Sequence, residues 1–87
     1  MFFPSEFSSQ VKKYIKKLDP VAKKRIENRI DKPEENPFPS DVERVEKYKG
    51  EKPFRVRVGK YRILYLVRHN PNRLLIAKLD KRDRIYN

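Results

Sequence analysis

The chain has 87 residues, a length that supports one domain built on one small hydrophobic core. Hydrophobic residues make up 37% and charged residues 40%, and the apolar ones fall in periodic runs, so a folded domain is expected and not a disordered tail. There is no cysteine, which excludes a disulfide scaffold, a cysteine-ligated zinc site and a thiol nucleophile, and the formal net charge of +11 points to a polyanionic partner, nucleic acid first.

No apolar run approaches membrane-spanning length and no signal peptide is visible, so a cytoplasmic protein with no membrane partner is expected. The charge is uneven. Residues 1–30 carry 8 basic and 3 acidic groups (+5), residues 31–51 carry 4 and 7 (−3), and residues 52–87 carry 11 and 2 (+9). The positive field therefore gathers in the C-terminal part.

The opening Met1-Phe2-Phe3-Pro4 is too short for a full strand. A first helix is expected from about Ser5 to Leu18, because Phe7, Val11, Ile15 and Leu18 recur at helical spacing. Lys12, Lys13, Lys16 and Lys17 lie off that stripe, as a solvated face or a second basic surface. Asp19-Pro20 is a boundary: the Asp carboxylate accepts orphan backbone N–H bonds at an N-cap, and Pro has no N–H to lose at the first helical position. A second helix is expected from Pro20 to about Asp31, with Ala22, Ile26 and Ile30 inward, and Pro33 disfavours its continuation.

Lys32 to Asp41 holds three prolines in ten residues and reads as a loop. Val42, Val45 and Tyr48 could form one helical face, but Val and Tyr also suit a strand, and a strand is expected over about Glu43 to Tyr48, closed by Gly50. Phe54 to Val58, Tyr61 to Arg68 and Leu74 to Leu79 read as further strands, with a turn at Asn70-Pro71-Asn72. The expected fold class is α+β, an N-terminal helical hairpin packed on a small, mostly antiparallel sheet within a single 1–87 domain. The sheet face away from the helices is expected to be open or partly open.

A two-residue turn at Gly59-Lys60 pairs Val58 with Tyr61, Arg57 with Arg62 and Val56 with Ile63. Alternation then places Phe54, Val56, Val58, Tyr61, Ile63, Tyr65 and Val67 on the core face, and Arg55, Arg57 and Arg62 on the other. Lys78 joins the arginines if its register allows. Like charges directly opposite each other cost roughly 0.2–1 kcal/mol. Arginines on a solvated strand face are common, but three on one face of a strongly basic protein point to an anion site, and the planar guanidinium suits phosphate. Lys81, Arg82 and Arg84 add charge in the tail, and Tyr86 adds a phenol.

With these residues in view, the sequence resembles the RelE/ParE superfamily of toxin–antitoxin toxins, and more closely its RelE ribonuclease branch. The resemblance rests on a helical hairpin broken at Lys17-Leu18-Asp19-Pro20, then Tyr48-Lys49-Gly50, then RVRVGKYRILY, and a late basic KRDRIY. It implies an endoribonuclease that needs neither metal nor cofactor, enters the ribosomal A site and cuts mRNA by attack of the ribose 2′-OH on the adjacent phosphate. By the same resemblance Arg62 stabilises the phosphate, Arg82 protonates or neutralises the leaving group, and Tyr86 stacks on a base or assists deprotonation. Arg55, Arg57, Lys78, Lys81 and Arg84 would bind RNA. Several family members carry lysine where Arg55 and Arg57 stand. Arginine stays protonated, so neither can be the general base. His69, in an HNPN turn, is expected to have no catalytic part.

The resemblance also implies an acidic, partly disordered antitoxin that folds on the basic surface, in a 1:1 unit of a larger complex or about a monomeric toxin. Two other readings stay open at this point: a toxin of the ParE branch, directed at DNA gyrase, and a basic sheet that holds RNA without cutting it.

Overall fold

The computed structural model describes residues 2–38, 42–45 and 48–81. In chain order they form β1 (Ser5–Phe7), α1 (Ser9–Lys16), α2 (Pro20–Glu35), β2 (Glu43–Arg44), β3 (Phe54–Val58), β4 (Tyr61–Arg68) and β5 (Arg73–Lys81). The strands make one mixed sheet in the order β1-β5-β4-β3-β2, antiparallel except for the β1–β5 pair. The helices cover one face. There Val11, Ile26 and Ile30 meet Val56, Val58, Ile63, Tyr65, Leu74, Ile76 and Leu79. Each large aliphatic side chain buried in this way contributes about 1.5–3 kcal/mol. All seven residues assigned to the core face of the hairpin are buried there or packed against it. Among the described residues, no helix is long and apolar enough to cross a membrane.

The first helix begins later than its apolar spacing predicts. Ser5–Phe7 is a strand whose neighbours complete a parallel ladder: Leu74 N–H donates to Pro4 O at 2.8 Å, and Ser8 N–H to Ile76 O at 3.0 Å. Ser8 then caps α1, its hydroxyl accepting from Val11 N–H at 3.2 Å. Phe7 still packs on the core, so the apolar stripe names the right residues but spans two kinds of backbone.

The second helix runs to Glu35, one turn past its expected end, with Pro33 inside it. Tertiary contacts outweigh the local bias. Pro33 is fully buried, Phe3 N–H donates to Glu34 O at 2.7 Å, and the Glu34 carboxylate accepts from Ser5 N–H and Ser5 Oγ. The capping by Asp19 is as the sequence predicts, Oδ1 accepting from Ala22 N–H at 2.9 Å.

The expected strand from Glu43 to Tyr48 is only two residues long, and Tyr48 instead pairs with Glu51 across a tight turn. Lys49 and Gly50 both take positive φ, +50° and +80°, the backbone that a two-residue hairpin turn of this hand requires. The β3–β4 register is the predicted one, Arg57 lying opposite Arg62. β5 exceeds its expected span and carries a bulge: Leu64 pairs with Lys78 but Tyr65 pairs with Ile76, leaving Ala77 without a partner on β4. The side chain of Gln10 extends the ladder there, donating to Leu79 O at 2.8 Å and accepting from Leu79 N–H at 3.1 Å.

Candidate nucleic-acid interface

Side chains of directly paired residues project from the same sheet face. Two rows therefore cross the face away from the helices. One runs Glu43, Arg55, Leu64, Lys78 over β2 to β5, and the next runs Arg57, Arg62, Asp80 over β3 to β5. The bulge at Ala77 brings Lys78 and Asp80 to this face. Uninterrupted alternation from Ile76, which lies in the core, would turn both toward the helices. Lys81 pairs with Tyr61 and so belongs to the helix-side face, away from the arginines it was grouped with. Arg82, Arg84 and Tyr86 lie outside the described residues.

The arginine face is thus not of one sign. The Glu43 carboxylate accepts a hydrogen bond from Arg55 Nη2 through Oε2 and pairs with Arg57 Nη2 through Oε1 at 2.8 Å. The hydrogen bond from Arg55 holds the Glu43 carboxyl below its ordinary range, and the positive charges of Arg55, Arg57 and Arg62 push the same way. Arg62 reaches the turn instead: its Nη1 donates to Gly59 O at 2.9 Å and to Tyr61 O at 2.8 Å. The repulsion between Arg57 and Arg62 is offset by three acceptors the hairpin sequence cannot reveal, a carboxylate from β2 on Arg57 and two carbonyls at the turn on Arg62.

The face is also partly covered. Val45 and Tyr48 pack on Leu64, and two ammonium groups approach the Tyr48 ring, Lys49 Nζ at 5.6 Å and Lys78 Nζ at 5.7 Å from its centroid. Tyr48 thus sets an aromatic surface beside the basic row, an arrangement suited to stacking a single-stranded base next to a bound phosphate. The sequence places Glu43 in a strand but not beside Arg55 and Arg57, because local spacing carries no signal of which strands pair.

Arg68 and Glu51 close the far end of the sheet with a two-pronged ion pair at 2.8 and 3.1 Å. It lowers the Glu51 carboxyl and raises the Arg68 guanidinium. His69 is exposed in the turn, its Nδ1 3.3 Å from Asn72 Oδ1 and its ring edge-on to Phe3 at 5.7 Å, so turn packing accounts for it. Among the described residues, no three His, Cys, Asp or Glu side chains gather in a way that could hold a metal ion.

Comparison with known proteins agrees with this architecture. The family described as the ParE toxin of the type II toxin–antitoxin system parDE matches residues 5–86. A Methanocaldococcus jannaschii protein named as a RelE1 toxin is 31% identical over 87 residues, covering 99% of this chain and 97% of that protein. The crystal structure of the archaeal RelE–RelB complex from Pyrococcus horikoshii OT3 contains a chain that superposes with a TM-score of 0.78 at 29% identity, covering 97% of this chain and 99% of that one. A chain of the RelBE2 complex from Mycobacterium tuberculosis shares the fold at a TM-score of 0.76 and 18% identity, covering 94% and 100%.

Proposed function

Because the chain belongs to the RelE/ParE superfamily, as a RelE-like toxin of type II toxin–antitoxin systems, we propose that it is a metal-independent endoribonuclease that cleaves mRNA in the ribosomal A site. The observation that carries this reading is the two-row cluster of Arg55, Arg57, Arg62 and Lys78, a set of donors spaced over one sheet face with an aromatic ring beside it.

The reaction needs little from the protein besides placement and charge. The 2′-oxygen bonds to phosphorus, the bond from phosphorus to the 5′-oxygen breaks, and a cyclic phosphate and a 5′-hydroxyl remain. Arg55 and Arg57 hold the phosphate, and Arg62 donates to the oxygens that gain charge in the pentacoordinate state. Arginine cannot take the 2′-proton, but the Glu43 carboxylate between Arg55 and Arg57 can. A phosphate that takes over those guanidinium groups also removes what holds the Glu43 carboxyl low, which makes it a better base in the complex than in the free protein. Arg82 serves the leaving oxygen, Tyr86 stacks or assists, and Arg84 adds backbone contacts, while Lys81, on the helix-side face, takes no part at the arginine cluster.

The partner that restrains the toxin is a RelB-like acidic antitoxin, in keeping with the RelE–RelB and RelBE2 complexes to which this fold is similar. Cutting of a defined mRNA by the purified chain, with and without programmed ribosomes, tests the reading. Cuts that need ribosomes and vanish in Arg62→Ala support it. Inhibition of gyrase supercoiling without RNA cleavage would replace it with the ParE-type action, and ribosome binding without cleavage would leave a binding module.

A further inference from the structure

A second basic feature lies off the sheet face. Arg25, Asn28, Arg29 and Lys32 recur at positions i, i+3, i+4 and i+7 of α2, so they form one stripe beside the buried stripe of Ile26, Ile30 and Pro33. This stripe faces the β3–β4 turn across a cleft of about 410 Å³, whose other wall is Arg57, Val58 and Gly59. The turn closes tightly on the helix. A Cβ built on Gly59 would stand 3.2 Å from Arg25 Nη2, so the guanidinium rests against bare backbone. Gly59 also takes φ +56°, the left-handed backbone that calls for glycine at this turn.

We propose that this cleft is a second RNA-backbone site, which takes a phosphate of the strand bound at the arginine face. Three arginines, one lysine and one amide are all hydrogen-bond donors to phosphate oxygens, and none of the described residues lining the cleft is acidic. Arg57 joins the two sites. Its exposed side chain pairs with Glu43 on the sheet face and also lines the cleft, so a strand leaving the sheet over the turn meets cations without a break. A peptide is a poorer fit. Protein interfaces centre on apolar anchors and are depleted of charge at their core, whereas among the described residues lining this cleft the one aliphatic side chain, Val58, is itself buried. Charge-dense, donor-rich surfaces are those that nucleic acid uses.

The inference rests on the RNA-directed reading, and the test separates the two. The probe is a 2′-O-methyl oligoribonucleotide, which binds but has no nucleophile, followed by fluorescence anisotropy across a salt series. Arg25→Gln/Lys32→Gln is compared with Lys23→Gln/Lys24→Gln, which removes the same charge from the same helix outside the cleft. Loss of the cleft's phosphate contact makes the slope of log affinity against log salt shallower by about 0.7 and weakens binding severalfold, with less than about twofold loss in the control. Equal losses in the two variants would mean diffuse charge and would overturn the site. So would a cleft variant that loses a polyglutamate ligand but keeps RNA, which would mark an acidic protein segment as the occupant. The single Arg25→Gln variant gives the same comparison if the double variant melts early. Wild type that binds RNA through the cleft but never cuts mRNA keeps the site and removes the nuclease reading. Wild type that cuts, with RNA affinity unchanged in the cleft variant, does the reverse.

Discussion

The Glu43 carboxylate lies between the Arg55 and Arg57 side chains and meets a guanidinium nitrogen of each. On the proposed reading it stands where an RNA phosphate would bind, as an internal stand-in for that ligand.

Glu43→Gln should therefore separate binding from chemistry. Removing the competing charge should tighten RNA binding about two- to fivefold, the scale of an exposed ion pair. Cleavage on programmed ribosomes should fall in the same variant, because glutamine cannot accept the 2′-proton. Anisotropy and single-turnover cleavage measured together decide the point. Faster cleavage accompanying tighter binding would show that Glu43 only obstructs the site.

Arg62→Ala should lower cleavage roughly 10²–10³-fold, the usual effect of losing one donor to a charged transition state. The side chain also holds Gly59 O and Tyr61 O, so stability should drop by about 1 kcal/mol, or about 4–8 °C in melting temperature for a chain this small. Ribosome binding should change little. A proportional loss of binding and cleavage would assign Arg62 to binding alone.

Acid should weaken the sheet ends. Glu51 and Glu43 both have carboxyls held below their ordinary range by arginine hydrogen bonds. The native state then binds fewer protons than the unfolded chain, so these pairs stabilise fully above the ordinary carboxylate value, and the effect is lost as pH falls through the lowered one. Denaturant unfolding of wild type and Glu51→Gln should differ at pH 7 and converge well below about pH 4. A gap that persists in acid would mean the Glu51–Arg68 pair is not its source.

Tyr65→Phe should cost about 1–2 kcal/mol, since the buried Tyr65 hydroxyl donates to Pro37 O at 2.6 Å and the carbonyl would lose that donor. The denaturation midpoint should fall with an unchanged slope. RNA binding should be unaffected, because Tyr65 lies on the helix-side face.

Some of this molecule was legible without coordinates. Alternation over Phe54 to Val67 names the core face of the hairpin, and a two-residue turn at Gly59-Lys60 sets Arg57 opposite Arg62. Local chemistry also announces the cap at Asp19. What was hidden lies where tertiary contacts outvote local preference. Pro33 stays helical because it is buried and the last turn of α2 is held by Phe3 and Ser5. Ser5–Phe7 becomes a strand because β5 offers it an edge, although its apolar spacing suits a helix.

The candidate site divides in the same way. Sequence alone determined the helical hairpin, the antiparallel β3–β4 pair and the arginines at alternate positions, since each follows from spacing within a dozen residues. Only the tertiary structure decided what those arginines meet. Glu43 reaches them from a strand eleven residues upstream of Phe54, whose pairing with β3 no local spacing announces. Lys78 and Asp80 reach them because one unpaired residue, Ala77, reverses the phase of β5, and a one-residue shift turns every later side chain to the opposite face.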